Sequence, residues 1–182
     1  MKNNITDMTV GSPTKHILFF ALPLFIGNLF QQLYSMVDSV IVGNYVGANA
    51  LAAVGTCGSM TFFCFSLSAG LSIGIGIVVS QYFGAKNDKM VRQTIGSSFF
   101  ILAIASIIVT LFGFFACPYI LKLLNCPASI LSDSVLYMRT TICGLIFIAF
   151  YNGVASVLRA LGDSKTPLYF LILASLINLV LD

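Results

Sequence analysis

The chain has 182 residues, of which 58% are hydrophobic and 8% charged, whereas soluble domains carry about 25% charged residues. That composition excludes an ordinary water-soluble domain. The net charge of +3, from nine Lys and Arg against six acidic residues, is too small and scattered for a nucleic-acid surface.

One His and five cysteines without a CxxC pair exclude a multi-histidine metal centre and leave the thiols to act as small hydrophobes. Apolar runs longer than about 18 residues mark candidate membrane spans, separated by charges, Gly and Pro. The pattern predicts an all-α, polytopic membrane helix bundle with spans at residues 17–43, 51–83, 91–119, 129–161 and 167–182. The first run is too long for a secretory signal and no small-x-small cleavage site follows it, so it stays as a span.

Between Lys15 and Lys86 the one formal charge is Asp38, inside span one. An ionised carboxylate in hydrocarbon costs a few kcal/mol or more, so it is expected to face a protein interior or wet cavity, as ion and proton sites do. At 100° per residue, Asn28, Gln31, Gln32, Ser35, Asp38 and Ser39 fall within an arc of roughly 120°. Such a stripe lines a cavity or packs on polar groups of another helix. Asn28, Gln31, Gln32 and Ser35 are therefore candidate cavity-lining residues. Pro23 lies inside the same span, where a missing N–H predicts a bend or hinge.

Gly43, Asn44 and Gly47 predict a short uncharged connector to span two. Within span two, Gly70 and Gly74 have the small-xxx-small spacing that lets helix backbones approach. The loop before span three carries Lys86, Lys89 and Arg92. Pro127 and Pro167 are expected in the first turns of spans four and five. Span five, at about sixteen residues, falls short of the roughly 20 needed to cross, which reads as a chain stopping inside a helix of something longer. With the N-terminus in the cytoplasm, Lys2, Lys15, Lys86, Lys89, Arg92, Arg159 and Lys165 lie inside and Lys122 and Arg139 outside, the orientation favoured by the positive-inside rule.

At about 1.5 Å per residue, Asp38 is expected about 30 Å above the cytoplasmic entry and Asp182 about 22 Å above it, with Tyr137 about 12 Å below the outer surface. Asn178 and Ser175 share a face of span five with Asp182. Two carboxylates, an amide oxygen and a phenol form a hard-oxygen set for a small cation, or for a shared proton.

Three segments, ALPLFIGNLFQQLYSMVDSVIVGNYVGANALAAVG, SQYFGAKNDKMVRQTIG and LRALGDSKTPLYFLILASLINLVLD, together resemble the amino-terminal lobe of the multidrug and toxic compound extrusion family. The resemblance implies twelve helices in two pseudo-symmetric six-helix lobes, of which this chain supplies five spans of one. It implies a plasma-membrane antiporter, not an enzyme and without a cofactor, that exports small organic cations and drugs in exchange for Na⁺ or H⁺. Carried over by residue, Asp38, Tyr137, Asn178 and Asp182 match the coupling-ion site, with Asp38, Asn178 and Asp182 as ligands if the ion is Na⁺. The second lobe of the same polypeptide is missing from this sequence.

Two other functions fit a helical membrane chain. A lipid-linked saccharide flippase of the same superfamily is expected to line its cavity with Arg and Lys, and span one has none. In a non-transporting scaffold, Asp38 simply pairs with a residue elsewhere. An intramembrane aspartyl protease is disfavoured, because Gly74-Ile75-Gly76 is followed by Ile77 and not Asp.

Overall fold

The computed structural model describes residues 12–181, in which all regular structure is helical. Helix α1 (Pro13–Ile41) opens on a proline, whose fixed φ and missing N–H suit a first turn, and runs unbroken through Pro23. It continues into a π-helical turn, Val42–Val46. The expected connector over residues 43–47 is thus shortened to Gly47. The apolar residues of the turn keep winding, with the Gly47 N–H donating to the Val42 carbonyl at 3.1 Å. The reversal falls on Gly47, at φ 113° and ψ 172°, a region open essentially to glycine alone.

The remaining helices are α2 (Ala48–Gly84), α3 (Asp88–Leu123), α4 (Leu131–Ala160) and α5 (Lys165–Leu181). Three of them end in the same way. After α2, α3 and α4, a residue with positive φ (Lys86 at 54°, Asn125 at 56°, Gly162 at 90°) turns the chain back. Its N–H and the next one then satisfy carbonyls of the last turn. For α4 these bonds are Gly162 to Arg159 at 3.0 Å and Asp163 to Leu158 at 2.9 Å.

Polar side chains start the next helices. The Asn87 carbonyl oxygen accepts from the Met90 N–H at 3.2 Å. Asp163 accepts from the Lys165 and Thr166 N–H groups at 3.1 and 3.0 Å and from the Thr166 hydroxyl at 2.6 Å. Pro167 lies in the first turn of α5, as its sequence predicts. Pro127 lies instead in the connection before Leu131, where its carbonyl accepts from the Ile130 N–H at 3.1 Å.

Helices α2, α3 and α4 pack as a three-helix bundle with buried apolar clusters at both ends. One cluster joins Cys57, Met60 and Cys64 to Cys117, Leu121, Met138, Ile142 and Leu145. The other joins Val79, Val91 and Val157. In lipid such association depends on close van der Waals fit. A Cβ at Gly76 would collide with Ser156, one at Gly113 with Ile142, and one at Gly153 with Leu102. The expected approach at Gly70 and Gly74 is not found among the described residues, since a Cβ at either would have none of their atoms from another helix within 4 Å.

Helix α1 stands outside this bundle and pairs with α5, which also touches α4. Among the described residues, four helical segments are long and apolar enough to cross a membrane, and α5 is a shorter apolar helix.

A further contact joins α3 to α4. Pro118 has no N–H for the carbonyl four residues before it, that of Phe114. Arg139 of α4 supplies one, its Nε donating to the Phe114 carbonyl at 3.3 Å while the guanidinium lies 4.7 Å from the Phe114 ring centroid.

Candidate functional site

The wheel of α1 has two faces about 100° apart. Gly27 is buried, and Tyr34 and Asp38 are half-buried on the packed side. Asn28, Gln31, Gln32, Ser35 and Ser39 are exposed beside them. Asp38 therefore sits where the polar stripe meets the packed face. The Ser35 and Ser39 hydroxyls donate to backbone carbonyls one turn back, at 3.1 and 2.8 Å. The longer Asn28, Gln31 and Gln32 amides present the outward polar surface.

Gly27 fixes the register of α1 against α5, because a Cβ there would lie 3.2 Å from Leu171 and 3.4 Å from Leu168. Helices joined by short connections alternate in direction, so α1 and α5 run the same way. Asp38 is eleven residues beyond Gly27, about 16 Å along the helix. The same distance along α5 from Leu168 and Leu171 ends one to four residues past Asn178.

Asn178 carries the second observation. Its side-chain carbonyl oxygen is buried without a hydrogen-bond partner among the described residues, a costly arrangement unless another donor or a cation meets it. From α4, the Tyr137 phenol is close enough for the charge of Asp38 to act on it. Tyr137 also packs against the first apolar cluster, which fixes its ring. Asp38 of α1 and Tyr137 of α4 are thus within electrostatic reach of each other, and Asn178 lies toward the end of α5, the helix that pairs with α1. Asp182 lies outside the described residues.

The donor set is oxygen throughout: a carboxylate, a phenol and an amide carbonyl. Among the described residues no three His, Cys, Asp or Glu side chains cluster as a metal centre would require. Such oxygens suit an alkali cation or a proton better than a soft transition metal.

A second polar group, missed in the sequence, lines the α2–α4 interface: Ser72, Gly76 and Ser80 face Asn152, Ser156 and Arg159. Spacings of four, and of four and three, mark both stripes as single helix faces. That regularity was available in the sequence, but the glycines of α2 read there chiefly as packing.

Comparison with known proteins agrees with this architecture. The MatE family model matches residues 23–182. The chain is similar to the probable multidrug resistance protein YpnP of Bacillus subtilis (strain 168), 34% identical over 96% of this chain and 39% of that protein. Among solved structures it is similar to a MATE in complex with MaD5, at TM-score 0.90 and 25% identity, covering 100% of this chain and 41% of that one. It also resembles a MATE in the bent conformation, at TM-score 0.86 and 26% identity, covering 94% of this chain and 38% of that one. The chain spans about two-fifths of the length of these relatives. A family match over nearly all of its residues, on helices that superpose throughout, means that this chain belongs to the MatE, or multidrug and toxic compound extrusion, family.

Proposed function

We propose that this chain forms part of a cation-coupled exporter, an antiporter that moves small organic cations and drugs out of the cell in exchange for Na⁺ or H⁺. The observation that carries the reading is Asp38. It is the one formal charge between Lys15 and Lys86, half-buried on α1 and within electrostatic reach of Tyr137, while the Asn178 oxygen toward the end of α5 is buried with no hydrogen-bond partner among the described residues. Asp182 completes the coupling set by family resemblance, and with Na⁺ the ligands are Asp38, Asn178 and Asp182. The relatives' lengths support a second lobe facing the exposed amides of α1. The cavity between the two lobes then takes the drug.

Coupling follows from linkage. An ion that binds Asp38 more tightly in one lobe conformation favours that conformation, and if the drug binds it less tightly, ion entry drives drug exit. Pro23 is the hinge of this reading. It leaves one carbonyl of α1 without its helical donor, and one relative is described in a bent conformation. The cations of the α2–α3 and α4–α5 turns support a cytoplasmic position for those ends.

Asp38→Asn in the full-length gene product tests the reading. Ion-dependent drug efflux is expected to disappear while membrane insertion and helical content persist. Undiminished efflux from well-expressed Asp38→Asn sinks it.

A further inference from the structure

Between α2 and α4, away from the Asp38 level, lies a hollow of about 350 Å³, at the lower end of the range of small-molecule sites. Its polar lining is Ser72, Ser80, Asn152, Ser156 and Arg159, with no acidic residue among the lining groups. Gly76 lets α2 run against Ser156, so the two polar stripes stay in register.

The hydrogen-bond inventory gives the hollow a sign. Ser72 and Ser80 spend their hydroxyl protons on backbone carbonyls of their own helix, at 2.9 and 2.8 Å. Arg159 uses Nε on the Ala155 carbonyl at 3.0 Å, which leaves both terminal Nη groups as donors. Asn152 and Ser156 add an amide and a hydroxyl. No carboxylate pairs with Arg159 among the described residues.

A half-buried guanidinium at a membrane edge is costly without a counter-charge, and its fork matches phosphate oxygens. Arg159 is one residue from the end of α4 and Ser80 four from the end of α2, so they lie about 2 and 6 Å inside the helix ends, at headgroup depth. Lys86, Lys89, Arg92 and Lys165 sit at the same end and add attraction for anions. Deeper in, Ile73 and Ile77 continue the wall as apolar surface.

We propose that the α2–α4 hollow binds a phosphate group, carried by an anionic lipid of the adjacent leaflet or by a free phosphate ion, with Arg159 as its counter-charge. The site is separate from the coupling-ion set and does not depend on the transport reading.

The test places the full-chain protein in nanodiscs of phosphatidylglycerol or phosphatidylcholine and counts retained lipid by native mass spectrometry. In parallel, phosphatidylcholine nanodiscs are titrated calorimetrically with inorganic phosphate. Arg159→Gln and Ser80→Leu, which fills the mouth but keeps the charge, are each expected to weaken phosphatidylglycerol retention about tenfold. Lys122→Gln, exposed in the last turn of α3 at the opposite end of the bundle, is expected to leave it unchanged. Equal retention of the two lipids together with Arg159-dependent phosphate binding identifies the free ion as the source. Helical content by circular dichroism checks each variant, and if Arg159→Gln fails to fold, Ser80→Leu decides.

Binding that is absent, or unaffected by both variants, overturns the proposal. So does complete protection of Ser80→Cys from a membrane-permeant maleimide in phosphatidylcholine, because the hollow is then filled by polypeptide.

Discussion

Arg139 shows how one backbone vacancy is filled by a side chain from another helix. Pro118 cannot donate to the Phe114 carbonyl, and the Arg139 Nε does so from α4. Arg139→Ala is expected to destabilise the bundle by about 1–2 kcal/mol, the range of a charge-assisted bond tempered by the modest values found between membrane helices. In a Pro118→Ala background the backbone N–H returns and the cost is expected to fall toward zero. Equal costs in the two backgrounds, measured by denaturant titration in micelles, refute the coupling. The residue-scale signals differ in legibility for a physical reason. Asp38 stands out because hydrocarbon tolerates no stray carboxylate, so isolation alone nominates it. Arg139 read only as an outer-side cation, because its partner is a carbonyl of a helix whose approach the sequence does not encode locally.

At the scale of the element, the five helices were legible because each apolar run is bounded by groups that stop a helix or start the next. The finer geometry of glycine was not. Gly70 and Gly74 have the right spacing, yet the close approach occurs at Gly76, where α4 presents the small Ser156. Spacing identifies a smooth face, and only the neighbour shows where it is used. Gly47 and Gly55 separate backbone from packing, because neither has an atom within 4 Å of a built Cβ. Gly47 sits at φ 113°, so Gly47→Ala is expected to cost about 1–3 kcal/mol. Gly55, inside α2, is expected to gain up to about 1 kcal/mol from the same change. Thermal melts of the two variants check the opposite signs, and a shared sign removes the account of the α1–α2 reversal. At the end of α2, Lys86 occupies φ 54°, and Lys86→Gly is expected to raise stability by about 1 kcal/mol in the same melts.

Across the whole molecule, the candidate ion site depends on two bodies keeping register: the α1–α5 pair and the α2–α3–α4 bundle that supplies Tyr137. Composition and periodicity established the helices and their polar faces, but the pairing of α1 with α5 is a long-range choice. Nothing in the local sequence sets Gly27 apart from other small residues. It now marks the contact on Leu168 and Leu171 that levels Asp38 with the end of α5 about 16 Å away. Gly27→Leu therefore tests the assembly without touching any nominated ligand. The added side chain is expected to push α5 away and lower the affinity for the coupling ion about tenfold, as misplacing a supporting group does at a metal site. Leu171→Ala in the same chain removes the atom 3.2 Å from the built Cβ and is expected to restore most of that affinity. The measurement is an ion titration of a tryptophan introduced at Tyr45 by Tyr45→Trp, on the exposed turn that ends α1. Loss without rescue makes Gly27 a local packing residue, and full affinity in Gly27→Leu means that the site does not depend on α1–α5 pairing.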